Sequence, residues 1–160
     1  NFELNEIAKF NSFADSFLVQ SSDNLFLSDK NFKVVSKKKP TKSQFYDLKF
    51  AFNICRYVKS NAIVLVDNKS TVGIGSGQPS RLDSCEIAIN KMKKNFNRKH
   101  EMIAASDAFF PFVDGVEKLV QSGVSAIIQP YGSIRDKEII KFANAAGIIL
   151  IFSKTRHFRH

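Results

Sequence analysis

Residues 124–152 read VSAIIQPYGSIRDKEIIKFANAAGIILIF and contain two short apolar runs on either side of an amphipathic segment. Each apolar run is typical of a buried β-strand, and residues 136–146 have a helical periodicity that ends at a glycine. Upstream, residues 114–123 predict another helix and residues 102–105 a short strand. This order of alternating helices and strands favours a parallel sheet covered by helices, so we predict an α/β fold.

The first half of the chain also alternates between helical and extended patterns. Thr41 and Gln44 have the spacing of a capping box, at the start of a helix that runs to about residue 58. Residues 61–66 and 71–75 predict two strands, and Ser80 caps the helix that follows them. The remaining predictions are a strand at 32–35, otherwise irregular chain over 1–40, and a basic loop at 91–100.

Size and charge limit the kind of protein. With 160 residues the chain is long enough for a sizeable core, and we expect residues 1–160 to form a single domain. The formal charge of +9 attracts anionic partners without choosing among them. No apolar run approaches the roughly 18 residues that span a bilayer, and no signal peptide is recognisable. Cys55 and Cys85 lie on apolar helix faces, which indicates reduced thiols and a cytoplasmic location.

Polar side chains follow several predicted strands, at the edge where α/β sheets collect ligands. The run GIGSGQ at 73–78 is either a tight turn or a loop whose backbone amides approach an anion. Asn61 is either a turn residue or a contact for a carboxamide or purine-like ligand, because its amide both donates and accepts. The hydroxyl of Ser133, between a strand and a helix, can hold a carboxylate or a ring edge. Together these features predict a flat, anionic, heteroaromatic ligand.

The three histidines, His100, His157 and His160, lack the spacing of a zinc-ligand cluster, so no protein-bound zinc is expected. Two of them belong to the run RHFRH at 156–160. This run is either a solvated basic tail or an ordered anion-binding segment. The second alternative is favoured by the predicted buried strand that directly precedes the run.

Several long motifs, taken together and in order, resemble one family. They are FADSFLVQSSDN, KKKPTKSQFYDLKFAFNICRYVKSNAIVLV, TVGIGSGQPSRLDS, ASDAFFPFVDGVE, GVSAIIQPYGSIRD and RHFRH. The family is that of the bifunctional purine-biosynthesis enzymes, in which phosphoribosylaminoimidazolecarboxamide (AICAR) formyltransferase is joined to IMP cyclohydrolase. The chain resembles the C-terminal part of these enzymes from about residue 13 to the last residue.

The resemblance implies a fold and a reaction. The fold is cytidine-deaminase-like, with three layers, a mixed or parallel sheet, helices on both faces and no deaminase zinc. The chain is then the second such half of the formyltransferase region, and the first half and the cyclohydrolase domain are expected upstream. In that region a formyl group passes from the co-substrate 10-formyltetrahydrofolate to AICAR during the synthesis of IMP.

The resemblance also implies binding residues. The AICAR-binding positions of the family fall on Asn61, Phe109 and Arg156. Its folate-binding positions fall on Arg81, Leu82, Pro111, Asp114, Ser133 and Ile134. The residue types fit these roles, because arginines can pair with a phosphate or an anionic folate tail and a carboxylate can accept from a pterin edge.

Within ASDAFFPFVDG (105–115), Phe109 and Pro111 are expected to face the ligands, while Phe110 and Phe112 pack inward. Asp107 is expected to support the loop from behind. The resemblance further implies a monovalent cation, K⁺, near Ser60 and Asp107.

No catalytic residue is assigned within this chain. The general base of the family is a histidine in a KH-NPC motif, which has no match here, so the chain alone is expected to be inactive. In the family the active site forms across the interface of a homodimer, and we expect the same partner here.

A rival interpretation is a stand-alone basic module that binds nucleic acid, which the charge and the run KMKKNFNRKH at 91–100 favour. Against it, the aromatic residues lie in FFPF and not between the basic residues, as stacking platforms require. We therefore expect small-molecule substrates and neither nucleic acid nor a membrane as a partner.

Overall fold

A computed structural model describes residues 8–25, 27–96 and 101–160. The strands are β1 (Lys9–Phe13), β2 (Ser16–Gln20), β3 (Phe32–Val34), β4 (Ile63–Asp67), β5 (Ser70–Gly75), β6 (Met102–Ser106), β7 (Val124–Pro130) and β8 (Ile149–Ser153). The helices are α1 (Lys42–Cys55), α2 (Arg81–Asn95), α3 (Val113–Gln121) and α4 (Asp136–Ala145). Strands β1 and β2 form a hairpin, and the other six form one sheet in the order β3-β8-β7-β6-β4-β5.

The large sheet is mixed. Strands β6, β7 and β8 are parallel to one another, while β4 is antiparallel to β5 and β6, and β3 is antiparallel to β8. Helices α3 and α4 make the two crossovers that parallel pairing requires. The predicted parallel arrangement of the second half is therefore confirmed.

Helices cover both faces of this sheet. Helix α1 packs Leu48 and Phe52 on the face that carries Ile103. Met102 and Ala104 point to the opposite face, because successive residues of a strand alternate between faces. Helices α2, α3 and α4 lie on that face. The predicted three-layer α/β arrangement with helices on both faces is confirmed.

Short-range signals position the helix starts as predicted. The Thr41 hydroxyl accepts from the Gln44 backbone N–H at 3.2 Å, and the Gln44 side chain accepts from the Thr41 N–H at 2.9 Å, which completes the capping box. The Ser80 hydroxyl likewise accepts from the Leu82 N–H at 3.1 Å.

Helix α2 lies directly on β5 because two glycines of the GIGSGQ run leave room for its backbone. A Cβ on Gly73 would lie 2.2 Å from the Ala88 carbonyl oxygen, and one on Gly75 would lie 1.9 Å from the Ser84 carbonyl oxygen. Gly77, with φ of +69°, forms the turn after the strand. The structure thus accounts for the three glycines by packing and by a turn, which favours the first of the two interpretations of this run.

Two sequence predictions about local structure are wrong. Residues 1–40 were expected to be irregular apart from 32–35, but β1 and β2 form a hairpin whose apolar side chains, such as Phe10 and Phe17, are exposed. Exposure removes the alternation that marks a strand, and the turn uses Ala14 at φ of +49° in place of the usual glycine or asparagine.

The basic run at 91–100 is not a loop throughout, because α2 continues to Asn95. Met92 extends the buried face of the helix, and the neighbouring lysines face away from the core. Residues 97–100, including His100, lie outside the described residues. Among the residues that are described, no helix combines the length and apolar character needed to cross a membrane.

Candidate functional site

Five loop segments meet at one edge of the sheet. Because β5, β6, β7 and β8 run in the same direction, their carboxyl ends share this edge with the start of the antiparallel strand β4. We call it the carboxyl edge. The segments are 60–61, 76–81, 106–112, 131–135 and 154–160. Every residue assigned by resemblance to AICAR or folate lies in one of them or in the first turn of the following helix.

Asn61 is held in one orientation by its neighbours. Its side-chain NH₂ donates to the carbonyl oxygens of Gln78 and Pro79, each at 3.0 Å, and its side-chain oxygen accepts from Arg81 at 2.8 Å. Both amide hydrogens are therefore committed within the protein. What remains for a ligand is the second lone pair of the oxygen, so Asn61 presents an acceptor.

Arg81 is a largely internal arginine. Its side chain is 10% exposed and forms an ion pair with Asp107, which is fully buried, at 2.9 Å. It also donates to the backbone carbonyl of Phe109 at 3.1 Å. The structure thus places this guanidinium behind the site, where it ties together two predicted AICAR positions, Asn61 and Phe109.

Asp107 joins further segments of the carboxyl edge. Its second carboxylate oxygen accepts from the Ser60 hydroxyl at 2.6 Å, and its backbone carbonyl accepts from the His157 N–H at 2.9 Å. Ser60 in turn receives the Arg159 N–H at 3.1 Å. The two residues expected near a cation are therefore in direct contact, and Asp107 occupies the supporting position expected of it.

Two clefts open beside this network. The first, about 320 Å³, is lined by five predicted residues, namely Asn61, Arg81, Leu82, Pro111 and Asp114. The second, about 390 Å³, is lined by four, namely Phe109, Pro111, Ser133 and Ile134. Pro111 and Phe112 belong to both linings and separate them, and we call this pair the Pro111–Phe112 wall.

The phenylalanines of the FFPF run divide differently from the prediction. Phe110 is buried as expected, and its ring packs so closely on α3 that a Cβ at Gly115 would lie 2.8 Å from it. Phe112 is 52% exposed, so the expectation that it packs inward is wrong. Of the two rings, it is that of Phe110 that packs against Gly115 of α3.

Phe112 and Arg135 are site residues that the sequence interpretation missed. The guanidinium of Arg135 lies over the Phe112 ring, 5.0 Å from its centroid, and both residues line the second cleft. A signal was available, since Phe112 is the N-cap of α3, a position that usually holds a short polar side chain.

Arg156 does not line either cleft. Its side chain is exposed, and its guanidinium lies over the Phe158 ring, 5.3 Å from the centroid. The next residue, His157, is fully buried, packs against Phe52 with the ring centroids 4.5 Å apart and the ring planes tilted by 51°, and pairs with the Asp23 carboxylate. The run 156–160 is therefore an ordered segment and not a solvated tail.

Burial controls the protonation of three side chains near the site. Burial lowers the pKa of His157, although the hydrogen bond to Asp23 acts in the opposite direction. Burial also raises the pKa of Cys55 well above its ordinary value and that of Cys85 to about 12. Both cysteines are free, and as neutral thiols they are poor nucleophiles.

In the part of the chain that the structure describes, no group of three or more His, Cys, Asp or Glu side chains is placed to hold a metal ion. The polar groups that converge on the clefts are an amide, hydroxyls, a carboxylate and guanidinium groups. Such a set can orient and bind a polar, flat ligand.

Comparison with known proteins identifies the family. Residues 2–91 match the family model described as AICARFT/IMPCHase bienzyme. The chain belongs to this family. Curated relatives named bifunctional purine biosynthesis protein PurH are 47% identical over 154 residues in Bartonella bacilliformis and in Bradyrhizobium diazoefficiens, covering 92% of the chain. The PurH of Buchnera aphidicola subsp. Baizongia pistaciae is 44% identical over 157 residues, covering 98% of the chain.

The chain spans 29% to 30% of the length of these bienzyme relatives. Among solved structures, the apo dCMP deaminase from the cyanophage S-TIM5 aligns with 70% of the chain and 98% of its own length. That alignment has a TM-score of 0.47 and 16% sequence identity.

Proposed function

We propose that this chain is the second, cytidine-deaminase-like half of the AICAR formyltransferase region of a bifunctional purine-biosynthesis enzyme. In this proposal residues 1–160 form one domain that binds AICAR and 10-formyltetrahydrofolate in the cytoplasm. Family membership and 47% identity to PurH proteins support the purine-biosynthesis role. The observation that carries the site is the convergence of the proposed binding residues on one sheet edge, around two clefts that share a wall.

The chemistry of the proposed AICAR residues suits different groups of that substrate. Asn61 offers an acceptor, which suits the amino or carboxamide hydrogens of AICAR, and the half-buried Phe109 offers a ring face. Arg156 is exposed at the same edge, where its guanidinium can meet a phosphate.

The folate role rests on the first cleft and the Pro111–Phe112 wall. One oxygen of the Asp114 carboxylate accepts from the Gly115 N–H at 2.7 Å, and the other is available to the donor-rich edge of a pterin. Leu82, Ser133 and Ile134 add apolar and hydroxyl contacts around the wall. Arg81 contributes by holding Asn61 and the Phe109 backbone in place, because its own charge is paired with Asp107.

The proposal leaves the chemical step to residues outside this chain. His157 is buried against Phe52 and Asp23, so its imidazole is not exposed to either cleft. A base supplied by the upstream half, a homodimeric partner that completes the pocket, and a K⁺ ion near Ser60 and Asp107 belong to the same proposal. The isolated chain should therefore bind substrates without converting them.

A conservative pair of substitutions on α3 tests the folate role. Asp114→Asn keeps the acceptor for the Gly115 N–H but removes the charge, and we expect it to weaken binding of 10-formyltetrahydrofolate by about tenfold. Glu117→Gln, one turn along the exposed face of the same helix, should leave the affinity unchanged. Isothermal titration calorimetry on the chain and both variants measures the difference.

Three results would contradict the proposal. They are equal folate affinities in the two variants, no binding of folate or AICAR by the unaltered chain, and formyl transfer by the isolated chain. The first removes Asp114 from the site, the second removes the substrate role of this half, and the third places the base within these 160 residues.

A further inference from the structure

A third cleft lies at the carboxyl edge, on the side of α4 away from the Pro111–Phe112 wall and next to the edge strand β3. Its volume is about 410 Å³. Its lining combines two lysines with aromatic and aliphatic side chains, namely Lys33, Lys154, Tyr131, Phe152, Ile140 and Val35. None of these residues is assigned to AICAR or folate. We call it the lysine cleft.

Strand geometry places both lysines on the same face of the sheet. Lys33 is directly opposite Phe152 in the antiparallel pair β3–β8, and opposed side chains share a face. Lys154 follows Phe152 by two residues, so it has the same orientation. Phe152 is 8% exposed and belongs to the core beneath α2, α3 and α4. Two ammonium groups therefore flank one largely buried aromatic ring.

The lining of the lysine cleft carries more positive than negative charge, with two lysines and one carboxylate, that of Asp136. Among the described residues, neither Lys33 nor Lys154 has a carboxylate oxygen within 4.0 Å of its ammonium nitrogen. The one carboxylate in the lining, that of Asp136, is turned towards the protein. One of its oxygens accepts from the Gly132 N–H at 2.8 Å, and the other is buried from solvent.

We propose that the lysine cleft binds a small amphipathic anion, in which a phosphate or carboxylate group is attached to a flat apolar body. The oxyanion lies between the two ammonium groups, since lysine binds such groups as a mobile point charge. The apolar body lies against Phe152, Ile140 and Val35, where its burial is favourable. The low dielectric of a partly buried cleft strengthens the attraction relative to open surface.

This site is separate from the two clefts that the proposed function uses, and it does not depend on that function. The lining of the lysine cleft shares no residue with the other two. A failure of folate or AICAR binding therefore leaves the inference intact, and its own failure leaves the formyltransferase proposal intact.

Simple probes test the inference on the chain itself. Phenyl phosphate and benzoate carry an oxyanion on a flat ring, benzamide carries the ring without charge, and inorganic phosphate carries the charge without the ring. In two-dimensional ¹H–¹⁵N NMR titrations, we expect phenyl phosphate or benzoate to shift the amide signals of Tyr131, Phe152 and Lys154. Benzamide and inorganic phosphate should bind at least about tenfold more weakly. A difference between phenyl phosphate and benzoate identifies which oxyanion the site prefers.

Matched lysine substitutions provide the control. Lys33→Met and Lys154→Met keep the apolar part of the side chain, and each should weaken binding of the preferred anion by about tenfold. Lys141→Met removes an equal charge from an exposed position on α4 outside the lysine cleft and should have no effect. Equal binding of benzamide, or the same affinity in all three variants, would overturn the proposal. Unchanged amide spectra elsewhere show that the variants remain folded.

Discussion

At the scale of single residues, the site depends on the ion pair between Arg81 and Asp107. Burying two charges is costly, and hydrogen bonds to the remaining donors and acceptors of the pair reduce that cost. Here Asp107 accepts from Ser60 as well as Arg81, while Arg81 donates to Asn61 and to the Phe109 carbonyl. The pair therefore fixes the segments of the carboxyl edge relative to one another.

Removing one partner of this pair should be strongly destabilising. Asp107→Ala leaves the Arg81 guanidinium buried without a counter-charge, and we expect the free energy of unfolding to fall by about 3–5 kcal/mol. Urea denaturation measures this loss. Asp29→Ala, which breaks the exposed pair of Asp29 with Lys49, is the matched control and should cost less than about 1 kcal/mol. Equal losses in the free energy of unfolding would show that, in Asp107→Ala, the Arg81 guanidinium is hydrated or pairs with another group.

At the scale of elements, the contact of α2 with β5 determines where the first cleft lies, because Arg81 and Leu82 form the start of that helix. Gly75→Ala would place a methyl group 1.9 Å from the Ser84 carbonyl oxygen, so α2 must move away from the strand. We expect a loss of about 1–3 kcal/mol or more in the free energy of unfolding.

Thermal denaturation of Gly75→Ala, next to Ser70→Ala at the exposed start of the same strand, measures this effect. The Ser70 variant should unfold at nearly the temperature of the unaltered chain. If Gly75→Ala were equally stable, α2 would not be held as closely to β5 as the structure indicates.

Elements with a regular apolar pattern could be predicted from the sequence. The strands of the second half are continuous apolar runs, and the helix starts carry capping side chains whose hydrogen bonds are present in the structure. The β1–β2 hairpin could not be predicted, because its exposed phenylalanines show no burial pattern and its turn lacks glycine. The end of α2 at Asn95 was missed because residues 93–95 are exposed, so no buried apolar side chain marks the last turn of the helix.

The candidate site was predictable in its location but not in its internal arrangement. The order of strands implies that residues after β5, β6, β7 and β8 meet at one edge. The burial of Arg81 depends on its contacts with Asn61 and Asp107, which are 20 and 26 positions away in the sequence. No local pattern encodes such contacts.

At the scale of the whole molecule, segments distant in sequence are joined around His157. Its ring lies between Phe52 of α1 and Asp23, and its backbone N–H donates to Asp107. The hairpin is attached to the same segment, since Asn11 donates to the His160 carbonyl at 3.1 Å and Gln20 contacts Phe158 and His160. Stability of the whole chain should therefore respond to the charge state of this imidazole.

The direction of that response follows from the pKa of His157. Burial places it below the ordinary value of 6.5 in the folded chain. As the pH falls below 6.5, the unfolded chain takes up a proton that the folded chain resists, so the free energy of unfolding decreases. The decrease should approach about 1.4 kcal/mol per pH unit within this window and end at the folded-state pKa.

Urea denaturation at pH 7.5 and at pH values below 6.5 measures this dependence. His157→Gln should be less stable at pH 7.5 and should lose the part of the slope that comes from this imidazole. His160→Gln, at an exposed position, should keep the slope of the unaltered chain. A slope that is the same in His157→Gln and His160→Gln would assign the pH dependence to other groups.

The attachment of the hairpin to residues 157–160 has a consequence for synthesis of the chain. The joined residues are 138 to 149 positions apart, and translation at about 5–20 residues per second takes on the order of ten seconds to cover such a distance. During that interval the hairpin emerges without the segment to which Asn11 and Gln20 are hydrogen-bonded. The hairpin can therefore attach to the rest of the chain only after translation has delivered residues 158–160.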